Sequence, residues 1–127
     1  MNYILDTHTI IWYFEKSSKI PPKITDIINN EENKIFISSV SLWELVLKLN
    51  SGKLKMDFSF EVLLLLIKKG GFRILQINDE YLINLSSLPK IHNDPFDRLI
   101  VSTACSNDLT IITIDKNIHK YDVSCIW

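Results

Sequence analysis

Short apolar runs separated by helix-like sequence constrain the fold of this chain most strongly. The runs are rich in isoleucine and other β-branched or aromatic residues, as buried strands are. They cover residues 3–5, 34–38, 73–77, 109–114 and, most weakly, 123–126. Between them, apolar residues recur at helical spacing. This pattern predicts helices over residues 7–16, 22–30, 39–49, 58–69, 80–87 and 95–107.

Strands that alternate with helices favour the α/β class, with a central, mostly parallel sheet of four to five strands flanked by helices. The length of 127 residues fits one domain, residues 1–127. Hydrophobic residues make up 46% and charged residues 23%, so the composition is that of a globular protein rather than a disordered one. The net charge of −1 excludes a polybasic nucleic-acid binder, although a local basic groove remains compatible with it.

The cellular compartment is predicted from the cysteines and the N-terminus. Cys105 and Cys125 lie in apolar segments without metal-ligand spacing, which favours buried, reduced thiols in a cytoplasmic protein. Residues 1–6 lack the cationic stretch of a secretory signal. The longest apolar run, residues 62–67, is far below the ~18 residues of a membrane span. We therefore expect a soluble cytoplasmic protein.

Acidic residues occur where the predicted strands end. Asp6 follows the first strand, Asp115 follows the strand at 109–114, and Glu44 lies in the second turn of the helix after the second strand. Right-handed crossovers place the carboxyl ends of parallel strands at one edge of the sheet, where ligands of such sheets bind. These three acids are therefore expected to face one another.

The stretch 92–98 adds a fourth acid to this edge. Asp94 and Pro95 are typical of the N-cap and first position of a helix. Asp97 lies one turn further on, where the helix dipole favours an anion. Because this helix leads directly into the strand at 109–114, Asp97 is expected at the same edge as the other acids.

Asp6, Glu44, Asp97 and Asp115 thus form a predicted acidic cluster. Neighbouring carboxylates cannot all remain ionised without cations, because like charges raise one another's pKa. Mg²⁺ or Mn²⁺ would resolve this conflict, since both ions take oxygen ligands from a few carboxylates. The sequence therefore predicts a divalent-metal site.

Each acid also has a structural alternative. Ser41 and Glu44 match a capping box, and Asp6 and Asp115 could cap turns or helices after their strands. Their joint placement favours a functional site instead. No nucleotide-binding loop, nucleophile elbow or HExxH motif competes with it, and the chain has only three glycines.

The chain carries short motifs in residues 5–8, 38–44, 52–54, 92–98 and 113–115, together with Lys48. Their arrangement resembles that of the PIN-domain ribonucleases, in particular the VapC toxins of type II toxin–antitoxin pairs. These motifs span nearly the whole chain in the expected order. The resemblance implies a Mg²⁺- or Mn²⁺-dependent endoribonuclease whose acidic quartet is Asp6, Glu44, Asp97 and Asp115.

The site roles follow from this resemblance and from metal chemistry. Asp6 and Asp97 are the expected principal ligands, while Glu44 and Asp115 bind a second metal or orient water. Asp94 is expected as a helix cap or outer-shell group. Three further residues are candidates for substrate contact: Lys48 and Arg98, for which a solvated helix face is the alternative, and His92, for which ordering of its loop is favoured.

The resemblance also implies partners: an RNA substrate, a small antitoxin that blocks the site, and frequently a toxin homodimer. The apolar segment 10–14 is compatible with either protein interface, or with a helix buried on two faces.

Two alternatives to the ribonuclease remain open. A phosphatase or a flap-type DNA nuclease also uses clustered acids and Mg²⁺, although a phosphatase with an aspartyl nucleophile usually carries DxD where this chain has Asp6-Thr7-His8. The other alternative is a catalytically inactive PIN-like module that binds only RNA or its antitoxin.

Overall fold

A computed structural model describes all residues from Met1 to Trp127 and confirms the predicted α/β class. One five-stranded sheet forms the centre, in the order β3-β2-β1-β4-β5, and every neighbouring pair is parallel. The strands are β1 (Asn2–Leu5), β2 (Lys34–Ser38), β3 (Arg73–Leu75), β4 (Thr110–Ile112) and β5 (Cys125–Ile126).

Six α-helices connect the strands, together with one 3₁₀ turn at Ile118–Lys120 that the sequence pattern did not indicate. The helices are α1 (Thr7–Phe14), α2 (Pro22–Asn29), α3 (Ser39–Asn50), α4 (Phe60–Lys69), α5 (Asp79–Ser86) and α6 (Pro95–Asn107). Side chains cap most of their N-termini, including Ser59 for α4 and Asn78 for α5. The cap at Ser59 explains why α4 begins two residues later than predicted.

The sheet separates two hydrophobic cores, because successive side chains of a strand point to opposite faces. Leu5 and Ile112 pack into the core that contains α1, α2 and α4. Ile4 and Ile111 pack into the other core, which α6 dominates through side chains such as Ile100. Helices therefore cover both faces of the sheet, as predicted.

Several boundaries differ from the sequence prediction. β3 ends at Leu75 rather than residue 77, and β4 covers only Thr110–Ile112. Ile77 is exposed, so its apolar side chain did not signal a buried strand. Cys105 is exposed on α6, which corrects the expectation of a buried thiol. None of the helices has the length and hydrophobicity needed to cross a bilayer.

The register of the central strands positions the site. Leu5 at the end of β1 pairs with Ile37 of β2 on one side and with Ile112 of β4 on the other. The residues that follow these three strands consequently emerge at one level of the sheet. Asp6 and Thr113 follow directly, and α3 begins at Ser39.

Candidate functional site

Asp6 lies at the end of β1 and is only 2% exposed. Its Oδ1 accepts a hydrogen bond of 2.8 Å from the backbone N–H of Thr9, so Asp6 is the N-cap of α1. Its Oδ2 accepts the hydroxyl of Thr113, at 2.5 Å. Burial raises the pKa of this carboxyl, and the hydrogen bonds from Thr113 and Thr9 oppose that rise. The carboxylate thus has a capping role and also joins the ends of β1 and β4.

Glu44 is buried in the second turn of α3, at 6% exposure. Its Oε1 accepts a hydrogen bond of 2.7 Å from the Thr7 hydroxyl, and its Oε2 lies 3.0 Å from Nζ of Lys48. The capping-box alternative for Glu44 is wrong, because Ser38 caps α3 by accepting from the N–H of Val40. Glu44 instead faces the end of β1.

The hydroxyl of Ser41 is fully buried and has no hydrogen-bond partner. It lies one helical turn before Glu44, on the same side of α3. A buried hydroxyl without a hydrogen-bond partner lowers the free energy of unfolding, so such groups are rare in folded proteins. A ligand or a water molecule bound beside Glu44 would supply the missing hydrogen-bond partner of the Ser41 hydroxyl.

Asp94 and Asp97 stand at the N-terminus of α6. The Oδ1 of Asp94 accepts the backbone N–H groups of Phe96 and Asp97, at 2.9 and 3.1 Å, which confirms the predicted N-cap. Burial raises the pKa of Asp97 to about 8, with further contributions from the negative charges of four neighbouring acids. In decreasing order these are Asp94, Asp115, Asp6 and Glu44. The structure therefore places every predicted site acid within the electrostatic reach of Asp97.

Asp115 begins the turn after β4 and is half-buried. Its Oδ1 accepts the N–H of Asn117 at 2.8 Å, while its own N–H donates to the Thr113 hydroxyl at 3.0 Å. Thr113 therefore contacts both Asp6 and the backbone of Asp115. This hydroxyl fixes the two strand ends to each other.

Three basic candidates lie around the acids. Lys48 forms the ion pair with Glu44 described above. The Nε2 of His92 lies 3.3 Å from Oδ2 of Asp97, and its Nδ1 lies 2.8 Å from the hydroxyl of Tyr121. Arg98 donates to the carbonyls of Leu88 and Pro89. In this arrangement His92 contacts a site acid, whereas Arg98 is held against the preceding loop.

The carboxylates of the site do not form a complete cation-binding site in this structure. As the side chains stand, no three of the His, Cys, Asp and Glu groups lie close enough together to ligate one ion. Both oxygens of Asp6 and of Glu44 accept hydrogen bonds or an ion pair from the protein. The chemistry of the donors nevertheless fits Mg²⁺ or Mn²⁺, because all are carboxylate oxygens. Burial, and after it the charges of the neighbouring acids, raise the pKa of Asp97. Ligation would require some carboxylates to rotate.

Sequence reasoning missed Thr7, Thr113 and Tyr121, which hold the acids or their neighbours in place. Thr7 and Thr113 lie in the motifs at 5–8 and 113–115, next to Asp6 and two residues before Asp115, so a signal for their role was present in the sequence. Tyr121 had no such signal, since it lies in irregular chain after the 3₁₀ turn.

The family model described as PIN domain matches residues 3–124. The chain belongs to the PIN domain family. This confirms the resemblance inferred from the motifs, and the match covers every acid of the candidate site. No curated protein matches this PIN domain significantly.

Solved structures share the fold over almost the whole chain. One is the crystal structure of VapBC2 from Rickettsia felis bound to a DNA fragment from their promoter, at 20% identity and a TM-score of 0.75, covering 99% of this chain and 98% of that one. VapBC-1 from nontypeable Haemophilus influenzae gives 21% identity and a TM-score of 0.71, over 99% and 97% of the two chains. DNA-bound VapBC from Salmonella typhimurium gives 21% identity, a TM-score of 0.69 and the same coverage. At these identities the likeness establishes the fold.

Proposed function

We propose that this PIN domain is a Mg²⁺- or Mn²⁺-dependent endoribonuclease that acts in the cytoplasm as the toxin of a toxin–antitoxin pair. The observation that carries the proposal is the position of Asp97, whose half-buried carboxyl is within the electrostatic influence of Asp94, Asp115, Asp6 and Glu44. Folding has brought these acids to the ligand-binding edge of a parallel sheet at an electrostatic cost. Divalent metal binding is the function that compensates this cost most directly.

In this proposal each acid has a defined task. Asp6 and Asp97 would supply the principal ligands, while Glu44 and Asp115 would hold a second cation or orient the attacking water. When bound, the cation stabilises charge on the phosphodiester and makes water a stronger nucleophile. Thr7 and Thr113 keep Glu44 and Asp6 in position through their hydroxyl groups.

The surface beside the acids carries aromatic and basic side chains that a single-stranded RNA substrate would contact. Trp43 precedes Glu44 and is 57% exposed. Its ring stacks edge-on against Phe96, with ring centroids 5.2 Å apart, and Phe96 precedes Asp97. Exposed aromatic rings bind single strands by stacking on bases regardless of sequence.

Next to these rings, a cavity of ≈ 510 Å³ opens between α3 and the start of α6. Lys48 and Lys53 line it together with Asn93, Asp94 and Glu44. Lysines in such a groove attract the phosphate backbone. The aromatic pair and the lysines therefore support RNA, bound with its backbone along α3, as the substrate.

A partner protein is supported by a second, apolar region. Trp12, Tyr13, Phe14 and Leu66 line a cavity of ≈ 520 Å³ that α1, α2 and α4 enclose. The adjoining Leu65 is among the most exposed apolar side chains of the chain. Trp12, Tyr13 and Phe14 are half-buried, and contiguous apolar side chains that remain partly accessible mark protein interfaces. We assign this face to the antitoxin. We also propose a homodimer, which light scattering of the purified chain tests.

The experiment that tests the proposal is cleavage of single-stranded RNA by the purified chain. We expect cleavage in Mn²⁺ or Mg²⁺, none in EDTA, and a loss of more than about 100-fold in Asp97→Asn. Asp26→Asn, which changes an exposed acid on α2, is the matched control and should cleave normally.

Two results would contradict the proposal. Cleavage that persists in EDTA would exclude the metal role of the acids. RNA binding without any cleavage in either metal would favour a catalytically inactive module instead.

A further inference from the structure

The hydroxyl of Tyr121 lies between two residues of the predicted site motif. It is 2.8 Å from Nδ1 of His92 and 3.0 Å from Nη1 of Arg98. Tyr121 itself is only 4% exposed, and its ring packs edge-on against the imidazole with centroids 5.5 Å apart. Because this hydroxyl is buried and contacts both an imidazole and a guanidinium, the donor and the acceptor of each hydrogen bond can be assigned.

The direction follows from the chemistry of each group. An arginine has only donors, so Arg98 donates to the Tyr121 oxygen. The phenolic proton then needs an acceptor, and Nδ1 of His92 is the acceptor within reach. In a neutral imidazole one ring nitrogen accepts while the other carries the proton. The remaining nitrogen, Nε2, therefore donates, and it faces Oδ2 of Asp97 at 3.3 Å.

Arg98 is itself fixed at the start of this chain of hydrogen bonds. Its guanidinium donates to the carbonyls of Pro89 at 2.9 Å and Leu88 at 3.2 Å. These carbonyls belong to the loop that leads to His92. The loop, the arginine and the tyrosine thus form one rigid support for the imidazole.

We propose that Tyr121 is a positioning residue, which holds His92 as its Nε2–H tautomer and thereby fixes the orientation of the Asp97 carboxylate through Oδ2. This inference rests on the proposed function, because it concerns the same metal site. His92 engages Oδ2 of Asp97, which is one of the carboxylates that would hold the cation. Groups that orient a metal ligand through its second oxygen typically change metal affinity by about 10- to 100-fold when they are removed.

The first measurement is the tautomer of His92 in the metal-free protein, by long-range ¹H–¹⁵N NMR at a pH where the ring is neutral. We expect protonated Nε2 and an Nδ1 resonance that shifts in Tyr121→Phe, because the variant removes the hydroxyl that donates to Nδ1. His92→Gln assigns the signals among the three histidines. A wild type with protonated Nδ1, or an Nδ1 resonance unchanged in Tyr121→Phe, would overturn the inference.

The second measurement is Mn²⁺ affinity by calorimetry. Tyr121→Phe should bind Mn²⁺ about tenfold more weakly than the wild type. Tyr81→Phe is the matched control, since it removes the hydroxyl of another buried tyrosine. That hydroxyl accepts from Asn107 at 2.9 Å, at the C-terminal end of α6, whereas the acids are at its N-terminal end. Equal weakening in both variants, or none in Tyr121→Phe, would reduce Tyr121 to a packing residue.

The outcomes separate this inference from the proposed function. If the wild type cleaves RNA but the Nδ1 resonance of His92 is unchanged in Tyr121→Phe, the proposed nuclease function stands and the positioning role of Tyr121 is wrong. Conversely, a wild type that neither binds Mn²⁺ nor cleaves RNA would contradict the nuclease, while the NMR comparison still decides the direction of the hydrogen bonds.

Discussion

The Thr113 hydroxyl donates a hydrogen bond to the Asp6 carboxylate across 107 positions of the sequence. The contact is possible because β1 and β4 are neighbours in register, with Leu5 opposite Ile112. It holds a 2% exposed carboxylate at the point where two strands end. One threonine therefore links the register of the sheet to the geometry of the site.

Thr113→Val should destabilise the protein by about 1.5 to 3 kcal/mol, because a buried carboxylate loses a charge-assisted hydrogen bond while the side-chain volume is kept. The pKa of Asp6 should rise further, since the hydrogen bond from Thr113 opposes the effect of burial. Urea unfolding and NMR titration measure the two effects. Thr103→Val is the control, because Thr103 is equally buried but donates only to the Leu99 carbonyl. Equal losses in both variants would contradict the role of Thr113.

The stability of the metal-free protein should depend on pH through Asp97. Burial, and then the neighbouring acids, raise the pKa of Asp97 from the ordinary value of 3.8 to about 8 in the folded protein, so the folded state binds the proton more tightly between these values. Stability from this group is therefore fully present below about pH 4 and is lost as the pH rises toward about 8. Asp97→Asn removes the effect.

We accordingly expect Asp97→Asn to gain stability relative to the wild type by about 2 kcal/mol between pH 5 and pH 7. Chemical denaturation in EDTA at several pH values measures the difference. Asp26→Asn should show no comparable trend, since that acid is exposed on α2. A pH-independent difference for Asp97→Asn would show that its proton affinity is the same in both states.

Trp43 should contribute to RNA binding rather than to chemistry. Trp43→Leu should raise KM for single-stranded RNA by roughly 5- to 100-fold and leave kcat within about twofold, because a stacked base contributes about 1 to 3 kcal/mol to binding. Leu65→Ala, which truncates another exposed apolar side chain, should leave both constants unchanged. An unaltered KM in Trp43→Leu would remove the aromatic pair from the substrate path.

The convergence of the acids was predictable because it depends on topology. Strands that alternate with helices imply a parallel sheet, and Asp6 and Asp115 are placed by the ends of their strands. Asp94 as the cap of α6 was equally predictable, since the Asp-Pro pair carries a local signal that does not depend on tertiary contacts.

The hydrogen bonds of the site were not predictable in the same way. Ser41 and Glu44 have the spacing of a capping box, but α3 begins at Ser39, so Ser41 is already inside the helix. The Tyr121 contacts to His92 and Arg98 join residues more than twenty positions apart through irregular chain. Such contacts are decided by tertiary packing and leave no periodic signal in the sequence.

The central claim is that the acids around Asp97 are a site for a divalent cation. Thermal unfolding of the wild type and Asp97→Asn at pH 7, in EDTA and in Mn²⁺, tests it most directly. In EDTA the variant should be the more stable protein. Mn²⁺ at about 100 times its Kd should stabilise only the wild type, by about 2.7 kcal/mol or roughly 5 to 15 °C in Tm. The Tm advantage of Asp97→Asn over the wild type should therefore become smaller or change sign. A wild-type Tm that Mn²⁺ leaves unchanged, or an equal rise in both proteins, would contradict the claim.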